Sequence, residues 1–335
     1  MYKGTLVVGI TAYREGKRLL RAYKSICNQT DSNWKGCIIL DGNADEETLS
    51  VFHSIQDSRF DKIQLPENTG GPYIPREVFF KKFLPEICLF IDADDCYTPL
   101  AFTIIRQLFA DPEIMWISGG IKLIFENKNS DVISEHYISG DPITREQLAL
   151  SSTFPGVVLF RSSLFKMLGG YDRFLIKDHA DTDLMFSILE SNMKALHTNE
   201  ILIIKYERPS SMSRSYYDKF HIICEYIAKK HPKTFSNQGL KMTYLSNAYF
   251  TASRSNLQCD KLNEARQLAK KAMLMRQPEL MIPLAIILYL VPISKSFSLK
   301  LLALYDFYKS LQSRFGVRTY IKNSLNKFFM TIKNL

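Results

Sequence analysis

The stretch Leu89-Phe90-Ile91-Asp92-Ala93-Asp94-Asp95-Cys96 constrains this chain more than any other. An apolar run, Ile87 to Ile91, delivers three carboxylates at its end, and Tyr97-Thr98-Pro99 then leads into a helical pattern. Such a run reads as a buried parallel strand. In open α/β sheets, ligands gather at the C-terminal ends of the strands. Along an extended chain Asp92 and Asp94 alternate and point to the same side, so two hard oxygen ligands can share one divalent cation. Carboxylates gathered there without lysine or arginine beside them repel one another unless a cation joins them. The plainer alternative is an acidic turn in which Asp95 starts the next helix.

The rest of the chain reads as alternating elements. Apolar runs predict strands over 5–10, 36–40, 62–65, 87–91, 115–125, 156–160 and 200–206, and helical spacing predicts helices over 17–29, 45–55, 75–83, 99–109 and 182–193. The β-α-β-α-β-α-β order of the first half predicts a mostly parallel, doubly wound sheet. Thr11-Ala12-Tyr13-Arg14-Glu15 follows the first strand and Asp41-Gly42-Asn43 the second. Asp41 is placed to accept hydrogen bonds from a nucleobase or ribose, although Asp-Gly by itself is also an ordinary turn. Neither G-x-G-x-x-G after the first strand nor G-x-x-x-x-G-K-[ST] is present, which disfavours dinucleotide oxidoreductases and P-loop NTPases.

These pieces resemble an inverting glycosyltransferase of family 2 with the GT-A fold. The matching segments are T-A-Y-R-E-G at 11–16, S-I-C-N-Q-T at 25–30, I-I-L-D-G-N-A-D at 38–45 and E-N-T-G-G at 67–71. They continue with L-F-I-D-A-D-D at 89–95, V-V-L-F-R-S-S-L-F at 157–165, L-G-G-Y-D at 168–172 and A-D-T-D-L at 180–184. The resemblance implies a Rossmann-like catalytic domain over 1–215 and the transfer of a hexosyl or N-acetylhexosaminyl group from a nucleotide-diphosphate sugar, a UDP-sugar first. The acceptor it implies is a glycan or lipid-linked glycan of bacterial surface polysaccharide.

Position by position, the resemblance makes Thr11, Ala12, Tyr13 and Glu15 the floor of the nucleotide pocket and Asp41 a base-contacting residue. Arg76 falls where an arginine lies near the diphosphate, or is simply an exposed helix charge. Asp92 and Asp94 match the D-x-D pair, flanking Ala93; Asp92 leans to ribose and metal, Asp94 to metal. Mn²⁺ or Mg²⁺ would bridge the diphosphate oxygens and neutralise the charge of the departing nucleotide. Asp181 falls at the position of the catalytic base, with Asp183, which otherwise caps a helix, and Asp178 as alternatives; His179 is not expected to ligate metal. Where many relatives carry a histidine after the last strand, this chain has Arg208, which cannot ligate a metal but can hold diphosphate oxygens. A catalytically silent scaffold that binds nucleotide sugar is the alternative of a different class.

Composition matters for the remainder. The chain has 335 residues, 46% hydrophobic and 23% charged, as expected of a globular protein of about two structural units. Six cysteines without C-x-x-C spacing read as reduced thiols of a cytoplasmic protein, and no N-terminal export signal is evident. The net charge of +9 is uneven: from Lys261 onward thirteen Lys and Arg face three acids, a net +10 that leaves −1 for residues 1–260. Residues 216–335 are therefore expected to form a helical, basic, amphipathic region. Leu280–Ser294 is uncharged but short of the ~20 residues of a membrane span. Attachment to the inner face of an anionic cytoplasmic membrane is one reading, packing or oligomerisation the other; nucleic acid is not expected as a partner.

Overall fold

The computed structural model describes residues 1–126, 132–138, 142–150, 157–177, 179–208, 217–275, 283–284, 286–287, 296 and 299–306. It divides into two compact units, Met1–Ser215 and Tyr216–Leu335.

The first unit is a mixed α/β fold with the GT-A-like, Rossmann-type arrangement. Its parallel part is made of β1 (Leu6–Ala12), β2 (Trp34–Leu40), β3 (Phe60–Gln64) and β4 (Ile87–Asp92), neighbours in the order β3-β2-β1-β4. Both faces of these strands are apolar, so helices cover both. One face carries the main core, where Val8, Ile10, Ile38, Leu40, Leu89 and Ile91 meet Leu19 and Ile26 of α1 (Lys17–Cys27) and Phe102 and Ile105 of α4 (Ala101–Leu108). On the other face Cys37 and Ile39 pack on Phe79 of α3 (Tyr73–Phe83). Between β2 and β3, α2 (Glu46–Ser54) is capped by Asp45, whose carboxylate accepts the Thr48 N–H at 2.9 Å.

Beyond β4 the sheet stops being parallel. β8 (Val157–Arg161) joins β4 antiparallel through only two residue pairs, Ile87 with Arg161 and Cys88 with Phe160. The order then runs through β6 (Trp116–Glu126) and β9 (Ala195–Glu207) to the two-residue β5 (Cys96–Tyr97), with β7 (Val132–Ile138) paired to β6. The expected mostly parallel order thus holds for the N-terminal four strands, and a mixed half is added to it. Above Cys88, the flank of β4 away from β1 has no strand partner among the described residues. There the Phe90 carbonyl accepts the hydroxyl of buried Tyr97 at 3.0 Å. Short helices α5 (Arg145–Leu150) and α6 (Ser162–Met167) and the longer α7 (Ala180–Glu190) complete this unit.

The second unit is helical, with α8 (Phe220–Lys230), α9 (Gln238–Gln258) and α10 (Leu262–Leu274). Small residues on α9 and α10, among them Ala252, Ala265, Ala269 and Ala272, bring the two helices together, and Leu284, Ile286, Ile287 and Leu302 close the cluster. Three members of the uncharged 280–294 stretch are therefore core residues of this unit. Apart from Pro283, the other residues of that stretch lie outside the described residues; the sequence also predicts basic helices over 297–315 and 319–332, and the second of these and most of the first lie outside them too. Among the described residues no helix is long and apolar enough to cross a membrane.

Candidate active site

The three aspartates meet at the end of β4, but not by the route the sequence suggested. The strand ends at Asp92, and residues 92–95 form a turn closed by the Asp95 N–H on the Asp92 carbonyl at 3.0 Å. Asp94 thus lies in a turn rather than one step along a strand. Asp95 starts no helix, since α4 begins at Ala101; it is buried and accepts the Tyr206 N–H at 3.0 Å.

Asp92 is fixed from two sides. Its Oδ1 accepts the Thr11 hydroxyl at 2.8 Å and Arg76 Nη2 at 2.7 Å, while its side chain remains 41% exposed. Thr11 and Asp92 are register partners in β1 and β4, so the pairing of these strands sets this contact. Oδ2 of Asp92 has no partner among the described residues. Burial works against the charge on Asp92, but Arg76 and the Thr11 hydroxyl more than offset it, and its carboxyl sits below the ordinary carboxylate range. Asp94 behaves oppositely. Burial and the charges of Glu15 and Asp92 push it up to about 6, against the pull of Arg208.

Cations surround these carboxylates, although none is near them in sequence. Arg208, at the end of β9 and almost buried, donates to Asp94 Oδ2 at 2.7 Å and reaches Glu15 Oε2 at 3.4 Å. Arg18 takes the same Glu15 oxygen at 2.7 Å. From α1, Arg21 donates to the Asp94 carbonyl at 3.0 Å and to Glu126 Oε1 at 2.8 Å, and its guanidinium lies 3.4 Å from the Tyr206 ring centroid. Lys205 holds its proton more tightly than usual: burial opposes this, but the charges of Asp95 and Asp92 outweigh it.

Asp41 lies at the mouth of β2, buried, with its carboxylate engaged by the chain itself. Thr69 donates its N–H at 3.1 Å and its hydroxyl at 3.0 Å, Asn68 its amide at 3.3 Å, and Gly42 its N–H at 3.2 Å. Burial raises its carboxyl and these donors partly counter it. The E-N-T-G-G segment is thereby clasped onto β2. A Cβ on Gly42 would come within 2.3 Å of the Glu67 backbone, so only glycine permits the approach. A Cβ on Gly71 would meet the Lys177 carbonyl at 3.3 Å, which places the clasp against the segment leading to α7. Tyr13 is half-buried, with Arg14 stacked 5.0 Å above its ring.

Asp181 and Asp183 both lie in the first turn of α7, behind His179, whose φ is 60°. Asp181 is exposed and accepts the Thr182 N–H at 2.7 Å, whereas Asp183 is buried. Asp178 lies outside the described residues. Asp181 is linked to Asp92 through an aromatic bridge. Tyr73 and Tyr171 pack with ring centroids 5.0 Å apart, and Arg76 lies 5.8 Å from the Tyr73 centroid. Burial raises the Tyr73 phenol well above its ordinary value and the charge of Asp181 adds to it. Burial likewise lifts Tyr171 to about 12, against Arg76.

The structure therefore joins Thr11, Glu15, Arg76, Asp92, Asp94 and Arg208 in one charged network, with Asp181 across the bridge and Asp41 at the next strand. Arg21, Lys205, Tyr73 and Tyr171 escaped the sequence reading. Among the described residues no group of three His, Cys, Asp or Glu could hold a metal by itself. The partly exposed carboxylates of Asp92 and Asp94 do fit a hard divalent cation, provided a bound diphosphate supplies further oxygens.

A family model described as glycosyl transferase family 2 matches residues 7–168. Among curated protein sequences none matches this chain. Of solved structures, TarS 1–349 of S. aureus in complex with UDP-GlcNAc is similar with a TM-score of 0.59 and 17% identity, over 84% of this chain and 87% of that one. The mannosyltransferase PcManGT of Pyrobaculum calidifontis, in complex with GDP-Man and Mn²⁺, is similar with a TM-score of 0.52 and 14% identity, over 93% and 85%. At these identities the likeness is one of fold.

Proposed function

Because this chain is a glycosyltransferase of family 2, matched through residues 7–168, we propose that it is metal-dependent and inverting. It would move a hexosyl or N-acetylhexosaminyl group from a nucleotide-diphosphate sugar to a glycan or lipid-linked glycan of bacterial surface polysaccharide. One observation carries the reading: Asp92 and Asp94, in one turn at the end of β4, are met by Arg76 and Arg208, and the exposed Asp181 lies beside Tyr73, which packs on Tyr171. That set can serve a departing diphosphate on one side and an entering hydroxyl on the other. The solved relatives hold UDP-GlcNAc and GDP-Man, and a nucleotide-sugar donor, a UDP-sugar first, is consistent with them.

In this reading the donor nucleotide lies along the ends of β1 and β2, over Thr11, Ala12, Tyr13 and Asp41. Asp41 acts chiefly through the 67–71 clasp, because its oxygens are already engaged. Arg76 and Arg208 hold diphosphate oxygens, for which the arginine fork is suited. Asp94 and Asp92 would hold a Mn²⁺ or Mg²⁺ ion, which when bound would neutralise charge on the leaving nucleotide. Asp181 takes the proton of the acceptor hydroxyl as it attacks the anomeric carbon opposite the leaving group; a base so placed contributes roughly 10²–10⁴-fold. Burial of Tyr73 and Tyr171 keeps their phenols protonated beside it, able to donate to its carboxylate.

The test is hydrolysis and transfer across a panel of nucleotide sugars with Mn²⁺, Mg²⁺ or chelator. Wild type should turn over at least one donor only with metal. Asp94→Asn should remain folded and lose that turnover by orders of magnitude, since an amide gives up the charge that holds the cation. Near-normal metal-dependent turnover by Asp94→Asn would remove Asp94 from the metal site. No turnover of any donor would leave a nucleotide-sugar-binding scaffold.

A further inference from the structure

Arg208 already pairs with a carboxylate that the metal reading assigns to the cation. Its Nη2 is 2.7 Å from Asp94 Oδ2 and 3.4 Å from Glu15 Oε2, so one guanidinium already neutralises the carboxylate assigned to the cation. The pair is sheltered, with the Arg208 side chain 9% exposed and that of Asp94 21%. Arginine stays protonated at any pH at which the fold survives. Asp94 therefore cannot give its full charge to a divalent ion while Arg208 holds it, and the ion meets a site with a positive charge already inside.

We propose that Arg208 is an internal counter-cation that keeps Asp94 from binding metal until a nucleoside diphosphate arrives, so that metal binding depends on the nucleotide. This rests on the metal-dependent reading above. The diphosphate supplies the exchange. It carries anionic oxygens that suit a guanidinium bidentately, and it brings oxygen ligands for the cation. Arg208 then changes partner from carboxylate to phosphate, and the charge released on Asp94 is available as the ion enters. Asp92 is paired in a similar way, its Oδ1 taking the Thr11 hydroxyl and Arg76, so a diphosphate can draw Arg76 off by the same exchange. Thermodynamic linkage makes the effect reciprocal, with metal strengthening nucleotide binding by the same factor.

Direct Mn²⁺ binding to the full chain, read by electron paramagnetic resonance of the free ion, tests this without turnover. Wild type should bind Mn²⁺ weakly alone and more tightly with saturating UDP or GDP. Arg208→Gln should bind Mn²⁺ alone more tightly than wild type by about tenfold, inside the usual 5–150-fold range of coupling between sites. Its gain on adding nucleotide should shrink correspondingly. Arg208→Met, of similar length without charge, is the second variant should the glutamine fail to fold, and the same tightening is expected. If neither folded variant binds Mn²⁺ alone better than wild type, the gating role of Arg208 is overturned while metal dependence stands. If wild type binds no Mn²⁺ even with nucleotide, the metal reading falls and the gating falls with it.

Discussion

One residue, Thr182, separates Asp181 from Asp183, and their surroundings assign them different work. Asp181 is exposed on the first turn of α7 beside the Tyr73–Tyr171 pair, while Asp183 is 2% exposed. Asp181→Asn should therefore keep its fold and its donor affinity, measured by calorimetry with UDP or GDP, and lose transfer by roughly 10²–10⁴-fold. Asp183→Asn disturbs a buried polar group and should lower stability by about 1–3 kcal/mol in urea unfolding, with smaller effect on transfer. Loss of turnover by Asp183→Asn at unchanged stability would move the base to that position. Much of this site could be read at the residue level, because Thr11, Asp41 and Asp92 each end an apolar run. Its cations could be read only in part: the resemblance pointed to Arg76 and Arg208 as diphosphate holders, but not to the contact of Arg208 with Asp94 114 residues away, and nothing local pointed to Arg21, which reaches Asp94 across 73 residues. For the same reason Asp41 looked available to a ligand, when Thr69, 28 residues on, already binds it.

Among the elements, β4 has a singular position, being the only described strand that joins the parallel half to the mixed half. Its pairing with β8 ends at Cys88, and the hydroxyl of Tyr97 takes the Phe90 carbonyl in place of a further strand. Tyr97→Phe removes that one donor and leaves the ring. It should cost about 1–3 kcal/mol in urea unfolding, the penalty for a buried polar group left without its partner. No change in the midpoint would mean that water fills the gap. Long apolar strands and amphipathic helices announced themselves in the sequence through their periodicity. β5 did not, being two residues long, nor did β7, whose Val132, Glu135, His136 and Tyr137 are exposed. The first half of β9, Ala-Leu-His-Thr-Asn-Glu, is mostly polar and partly exposed, so only its second half read as strand. Pattern reports burial, and elements that bury little leave little pattern.

At the scale of the whole molecule, charge and chemistry occupy different parts of the chain. The donor-binding candidates all precede Pro209, while the positive excess follows Asp260. That asymmetry was plain in the composition; what the uncharged stretch near 280–294 does was not, because an apolar run looks the same whether it meets lipid or protein. Leu284, Ile286 and Ile287 are core residues of the second unit, so any attraction to a membrane should come from the basic residues instead. Replacing Arg314, Arg318, Lys322, Lys327 and Lys333 by glutamine should abolish flotation of the full chain with anionic vesicles at low salt. Each such charge contributes about 1 kcal/mol near an anionic surface and is screened by salt. Equal flotation of variant and wild type, or none by either, would leave this region a packing or oligomerisation element.

The two-rung seam between β4 and β8 also has a consequence for how the first unit is born. Residues 6–92 supply four neighbouring strands from a contiguous length of chain and can pair as soon as they emerge from the ribosome. The mixed half must instead interleave strands from 96–207 in the non-sequential order β8-β6-β9-β5, and closing such distant pairings is slow. A refolding chain watched by pulsed hydrogen exchange should thus protect amides of 6–12 and 34–40 first, and those of 195–207 later. In the interval the open flank of β4 is an unpaired edge, the kind of surface on which a second half-made chain can add its own strand.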